Sequence, residues 1–400
     1  MIETAGLVNA HSHAFQRALR GRVERKSKEH QNDSFWAWRT TMYNDAGRLD
    51  VDDVYALARW AYADMVKAGF TAVGEFHYLH HDKSGRAYAQ PEMSIAHARA
   101  AASVGIRLVL LETAYARGGV NQALTDVQKR FAHESADAFL KHVERSVAAV
   151  TPLGAKVGVA IHSVRAVPRE MIAAVASFAR SKAMPIHAHA CEQQREIDEC
   201  RFEHGLAPLE LLAQCHALGN TTTIVHATHI EPEDPERLRR AGAIVCLTPS
   251  TERNLGDGLC PIESLHKVGV RLCIGTDSHA RIDAIDELRS VEDHERLRLE
   301  KRNVLTAPGA RLSQALLPIG TSNGAAALRL DAKDRVLFQE PIEARGDPST
   351  ALDALFIGGS SRDVVDVVVG SRDVVKGGRL VSVDEAEIEA SAVAVLKKLA

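Results

Sequence analysis

No apolar run in this 400-residue sequence is long enough to span a bilayer, so a membrane role is not expected. The opening residues, Met1 to Gly6, carry neither a basic n-region nor an apolar core. No signal peptide is therefore readable, and a cytoplasmic protein is expected. No Gly-x-Gly-x-x-Gly and no P-loop occurs, which removes the common nucleotide-binding signatures. Charge of neither sign dominates: 49 basic against 52 acidic residues leave a formal −3, so there is no basic field for nucleic acid. The six cysteines (191, 200, 215, 246, 260 and 273) never adopt Cys-x-x-Cys spacing, and several sit inside apolar runs. That suits reduced core thiols better than a disulfide framework. The 46% apolar content is ordinary for a globular chain, long enough for one large domain and a small accessory region.

What the chain does have is histidine, 19 in all, and a regular alternation of strand-like and helical patterns. Strands are expected at 7–11, 71–76, 107–113, 156–162, 185–189, 222–226, 244–248 and 271–277. Amphipathic helices are expected between them at 51–68, 92–104, 136–149, 168–183, 206–216 and 235–241. Eight strand–helix units over about 300 residues predict a parallel sheet closed into an α/β (β/α)₈ TIM barrel, with function at the C-terminal strand ends. The expected division is a barrel over residues 1–335 and a small β-rich region over 336–400. From about Gly320, a helical 323–330 is expected first, followed by strands at 354–358, 364–370 and 374–381 and a last helix at 385–399. The paired Ser-Arg-Asp-Val-Val segments at 361 and 371 are too short for an array.

The chemistry-bearing residues fall at the predicted strand ends. His11 and His13 are two apart, so on a strand both side chains share one face and can reach one cation. A lone His-x-His pair is common on surfaces and in cores; this one closes an apolar run. His187 and His189 repeat the spacing on the fifth strand, where one of them supplies a third ligand and Glu192 lies close enough to carry protons. His226 ends the sixth strand, with His229 in the turn beyond. Asp277 ends the eighth, where a carboxylate can ligate a metal and accept a proton. Imidazole and carboxylate donors without thiolate suit Zn²⁺, with Fe²⁺ or Mn²⁺ as alternatives. The fourth strand ends in His162 and has no lysine to bridge two metals, so one metal per chain is expected.

Cationic groups suggest the substrate. Arg39 and Arg165 could each clamp a carboxylate bidentately, and Gln16 and Tyr78 could add neutral hydrogen bonds. Trp36 and Trp38 read as packing, and the basic stretch 20–28 as a solvated loop. The glycine-rich turn 254–258 is expected to shape the pocket, and Cys191 reads as a small buried filler that could yet sense oxidants.

Together the segments 9–17, 35–39, 75–78, 162–165, 187–193, 225–229, 251–258 and 275–279 resemble the amidohydrolase superfamily and, within it, the N-formimino-L-glutamate deiminases. The resemblance implies one Zn²⁺ held by His11, His13, His189 and Asp277, with Glu192 and His226 moving protons and orienting water. It implies that Gln16, Arg39, Tyr78, His162 and Arg165 hold the formimino and carboxylate groups of a small dicarboxylate amidine. The implied reaction converts N-formimino-L-glutamate and water to N-formyl-L-glutamate and ammonia, a step of histidine breakdown. Other readings are a deaminase of an aminopurine or another amidine, and an inactive binding paralogue. A homodimer is expected, with neither nucleic acid nor membrane as partner. Relatives carry further strands ahead of the first barrel strand, whereas Met1 lies ten residues before His11. That predicts a truncated β-domain with an unpaired edge between 354 and 381.

Overall fold

The computed structural model describes residues 1–26, 35–331 and 333–400. Among these residues, thirteen strands run in chain order as β1 (Ile2–Ala5), β2 (Leu7–Ser12), β3 (Phe70–His77), β4 (Arg107–Ala114), β5 (Lys156–Ile161), β6 (Ile186–Ala190) and β7 (Thr222–His226), then β8 (Ile244–Leu247), β9 (Arg271–Ile274), β10 (Arg335–Phe338), β11 (Val364–Val369), β12 (Arg372–Lys376) and β13 (Arg379–Leu380). Strands β2 to β9 form one parallel eight-stranded sheet in sequential order. Each is followed by helix, the arrangement of a (β/α)₈ barrel. All eight residues of β3 are buried, as are seven of the eight in β4, because parallel barrel strands face packed side chains on both sides.

The seam between β2 and β9 closes through main chain beyond the last strand. Ser12 bridges Asp277 in parallel, His13 N donates to Asp277 O at 3.0 Å, and Thr276 N and Asp277 N both donate to His11 O at 3.1 and 3.0 Å. The Asn9 side chain stitches the same seam, donating to Thr276 Oγ1 at 2.7 Å and accepting from Thr276 N at 3.0 Å. Gly275 permits the approach: a Cβ there would lie 2.7 Å from both His11 Cβ and His11 O.

The second sheet is antiparallel, in the order β1-β10-β11-β12-β13. Three corrections to the sequence reading follow. The apolar run at 354–358 is the end of a helix, Ala351–Gly358, not a strand. Strands β1 and β10 were not anticipated; they pair with each other and leave β11 between β10 and β12, while an edge within 354–381 falls at β13. A division at 335/336 would also cut β10 and separate β1 from the sheet it joins. Asp334 ties this sheet to the barrel: its carboxylate receives Arg107 at 2.7 and 2.9 Å and Gly370 N at 2.7 Å, and its carbonyl receives Gly6 N at 2.9 Å.

The last helix, Glu385–Leu399, packs on helix Val51–Lys67, whose start is fixed by a reciprocal Asp50–Asp53 capping box. Arg22 and Arg48 donate to the Leu399 carbonyl at 2.8 and 2.6 Å, satisfying a helix C-terminus with cations. Among the described residues, no helix is long and apolar enough to cross a membrane. All six cysteines are free and buried, and burial pushes the Cys191 thiol well above its ordinary pKa, which leaves it a filler rather than a sensor.

Candidate metal centre

Strand register delivers the donors. His11 and His13 leave the end of β2, His189 comes from β6, and Asp277 follows β9, so three distant segments converge at the barrel mouth. One donor atom of each lies within 4.8 Å of all the others, and all four residues are buried. The His11 and His189 Nε2 atoms are 3.1 Å apart, His13 and His189 Nε2 are 3.4 Å apart, and Asp277 Oδ1 is 3.3 Å from both His11 and His13 Nε2.

These separations are those of atoms sharing a small cation at about 2.0–2.2 Å from each donor. The opposite ring nitrogens set the tautomers. His13 Nδ1 donates to Phe76 O and His189 Nδ1 to His162 O, both at 2.9 Å, so each Nε2 faces the centre with its lone pair bare. Burial holds the three imidazoles neutral, with His11 lowered to about 3. Burial opposes the Asp277 charge, but His11, His13 and His226 outweigh it and keep this carboxyl well below its usual range. Three neutral imidazoles and one carboxylate fit a divalent cation such as Zn²⁺.

His187, the other candidate on the fifth barrel strand, points elsewhere and bonds Ala327 O at 3.1 Å. His226 and Asp277 adopt left-handed backbone at φ 73° and 48°. That conformation costs a non-glycine residue about 1–3 kcal/mol and turns these side chains into the mouth.

Beside the donors sits a carboxylate–imidazole cluster. His226 Nε2 is 3.7 Å from Glu192 Oε1 and 4.0 Å from Asp277 Oδ2, while its Nδ1 is 3.6 Å from Glu252 Oε1 and 3.1 Å from Thr248 Oγ1. Burial disfavours the imidazolium, but Glu192, Glu252 and Asp277 prevail and raise His226 to about 10. Glu192 moves the other way from ordinary carboxylates. Burial raises its pKa, Asp277 adds to that, and His226 and Arg165 only partly oppose it. Glu252 and Thr248 went unassigned in the sequence; only an acidic residue four positions after the predicted strand 244–248 hinted at them.

The remaining candidates line one pocket with these groups: Gln16, Arg39, Tyr78, His162 and Arg165, together with Glu192, His226 and Asp277. Gln16 Nε2 donates to Tyr78 Oη at 3.0 Å, leaving the buried Gln16 Oε1 without a partner among the described residues. Burial keeps the Tyr78 phenol and the His162 imidazole uncharged, the latter helped by Arg165 and Arg39. Arg39 Nε donates to Tyr43 Oη at 2.7 Å. The Trp36 ring, read as packing, stacks under the guanidiniums of Arg39 and Arg165 at 5.3 and 5.4 Å. Trp38, Phe35, Met42 and Tyr43 also line the pocket and had no assigned role there, and Leu255 of the 254–258 turn lines it as expected. The stretch 20–28 is described only as far as residue 26; its remainder lies outside the described residues.

Comparison with known proteins gives the family. The amidohydrolase family model matches residues 2–334, and the chain belongs to that family, metal-dependent hydrolases acting on carbon–nitrogen bonds. Within it, the chain is 39% identical to the formimidoylglutamate deiminase of Pseudomonas aeruginosa over 387 residues, covering 94% of this chain and 84% of that protein. It is 28% identical to the 5-methylthioadenosine/S-adenosylhomocysteine deaminase of Halobacterium salinarum over 335 residues, 82% of this chain and 68% of that one. An amidohydrolase structure from Brucella melitensis superposes with a TM-score of 0.92 at 35% identity, covering 99% of this chain and 89% of that one.

Proposed function

We propose that this protein hydrolyses N-formimino-L-glutamate to N-formyl-L-glutamate and ammonia, with one Zn²⁺ in the four-donor centre. The carrying observation is one pocket lined by two guanidiniums, Arg39 and Arg165, together with Glu192, His226 and Asp277. Two guanidiniums match a substrate with two carboxylates, which an aminopurine lacks. The 39% identity to a formimidoylglutamate deiminase supports the same reading.

A divalent cation held by His11, His13, His189 and Asp277 supplies Lewis-acid polarisation and water activation at neutral pH. The chain's own groups do the rest. Arg39 and Arg165 fix the carboxylates, so the formimino carbon is held at the mouth. The Gln16–Tyr78 pair, with its free Oε1, offers an acceptor to a formimino N–H. Glu192, whose pKa burial raises above the ordinary carboxylate range, is placed to deliver a proton to the departing nitrogen. Ammonia then leaves rather than an amide anion. His226, raised to about 10 beside the carboxyl groups of Glu192, Glu252 and Asp277, orients water and steadies developing negative charge.

The test is ammonia release from the zinc-loaded enzyme with N-formimino-L-glutamate, adenosine and guanine in parallel. Turnover of the first alone is expected. Turnover of a purine without formiminoglutamate would replace this reading with that of an aminopurine deaminase, and no turnover of any would favour an inactive binding protein.

A further inference from the structure

A second group of donors lies outside the barrel lumen. Phe76 on β3 packs its ring 5.0 Å from His11, so the neighbouring His77 points to the opposite, helix-facing side of the sheet. There it meets His80 from the following loop and Glu112 from β4; one donor atom of each lies within 4.8 Å of the others. All three are essentially inaccessible, at 3%, 2% and 0% exposure.

The hydrogen bonding parallels that of the first centre. His80 Nε2 donates to Thr113 O at 2.9 Å, which leaves Nδ1 bare and facing Glu112 Oε2 at 3.4 Å. Two acceptor lone pairs opposed in a dry site need something positive between them. His80 Nδ1 and His77 Nε2 have no hydrogen-bond partner among the described residues. Ser94 Oγ donates to Glu112 Oε1 at 2.7 Å, and His142 Nε2 lies 3.2 Å from Oε2. Its ion-pair partners among the described residues are these two histidines; no arginine or lysine reaches it. Burial keeps His77 and His80 uncharged, His80 at about 3, while Glu112 stays ionised against its own burial because imidazoles surround it.

We propose that His77, His80 and Glu112 form a second, structural site for a divalent cation of the zinc class, with His142 beside it as a hydrogen-bonding partner of Glu112. Two imidazoles and a carboxylate, with His80 Nε2 fixed by Thr113 and Glu112 Oε1 by Ser94, are a zinc donor set that leaves room for a further ligand. The site would clip β3, the 78–81 loop and β4 together, and Tyr78 of the substrate pocket lies between two of its ligands. The inference does not rest on the substrate proposed above.

Zinc-loaded, buffer-exchanged full-length protein is expected to hold about two equivalents of zinc by elemental analysis. The variants Glu112→Gln and His80→Asn should each retain about one equivalent and melt at lower temperature; His189→Asn should also retain about one, with the outer ion kept. Zinc-edge anomalous scattering from wild-type crystals should place a peak among His77, His80 and Glu112, a readout that survives if a variant fails to fold. One equivalent in the wild type, or no peak there, would mean that protonated histidines alone neutralise Glu112 and would overturn the proposal.

Discussion

Proton chemistry at the site is decided by which side chains are buried beside which. Glu192 and His226 are 3.7 Å apart, yet neither belongs to the four donors. Glu192→Gln keeps the shape and removes the titrating oxygen, so kcat should fall by about 10²–10⁴-fold while zinc content is unchanged. Loss of zinc alongside activity would assign Glu192 to the metal instead. Arg165→Ala should lower kcat/KM for a dicarboxylate by about 10²–10³-fold, from losing a buried charged hydrogen-bonding partner, again at constant zinc. An equal fall in bound zinc would make Arg165 structural. At this scale the donors were legible because the two-residue repeat and strand-end position are local facts. Glu252 and the pocket-lining Phe35 and Met42 were not, because they reach the site from helices folded over the mouth, and Thr248 ended a predicted strand without a charge or ring to mark it.

Secondary-structure elements show the same division between local and distant causes. All eight barrel strands were readable as apolar runs between amphipathic stretches. The 354–358 run was misread because a short apolar segment does not distinguish strand from buried helix. Strand β10 escaped because its half-buried alternation has meaning only beside β1 and β11. At the seam, Gly275→Ala should cost about 1–3 kcal/mol by overpacking against His11 and should also reduce zinc binding. An unchanged denaturation midpoint would show that the seam relaxes freely.

The terminal helix makes a pH prediction. Lys398 and the Asp53 amide hold Asp50 well below its usual pKa against partial burial, and Lys67 and Arg59 lower Glu385 and Glu387. Depressed carboxyl pKa values mean that docking is fully supported above the unfolded values near 4 and is lost as pH falls through the folded ones. Because these pairs are largely exposed, the effect is small and screened by salt. Protection factors for 385–399, corrected for intrinsic exchange, should fall below pH 4 before those of 51–67. Loss of both together would mean the ion pairs do not govern docking.

At the scale of the whole molecule, the first metal centre joins segments that are far apart in sequence. His11 and His13 lie on one side of the barrel seam, Asp277 on the other, and His189 comes from the far side of the sheet. A cation bound there adds stability only to the folded barrel, because the unfolded chain cannot assemble the four donors. With free zinc at about a thousandfold its dissociation constant, that linkage contributes about 4 kcal/mol. Chelation should therefore lower the calorimetric melting temperature, and adding zinc back should restore it. The Asp277→Asn variant should respond less to both treatments, since it lacks the carboxylate that faces His11 and His13 at 3.3 Å. If wild type and Asp277→Asn lose the same number of degrees on chelation, the metal's stabilisation comes from somewhere other than the barrel seam.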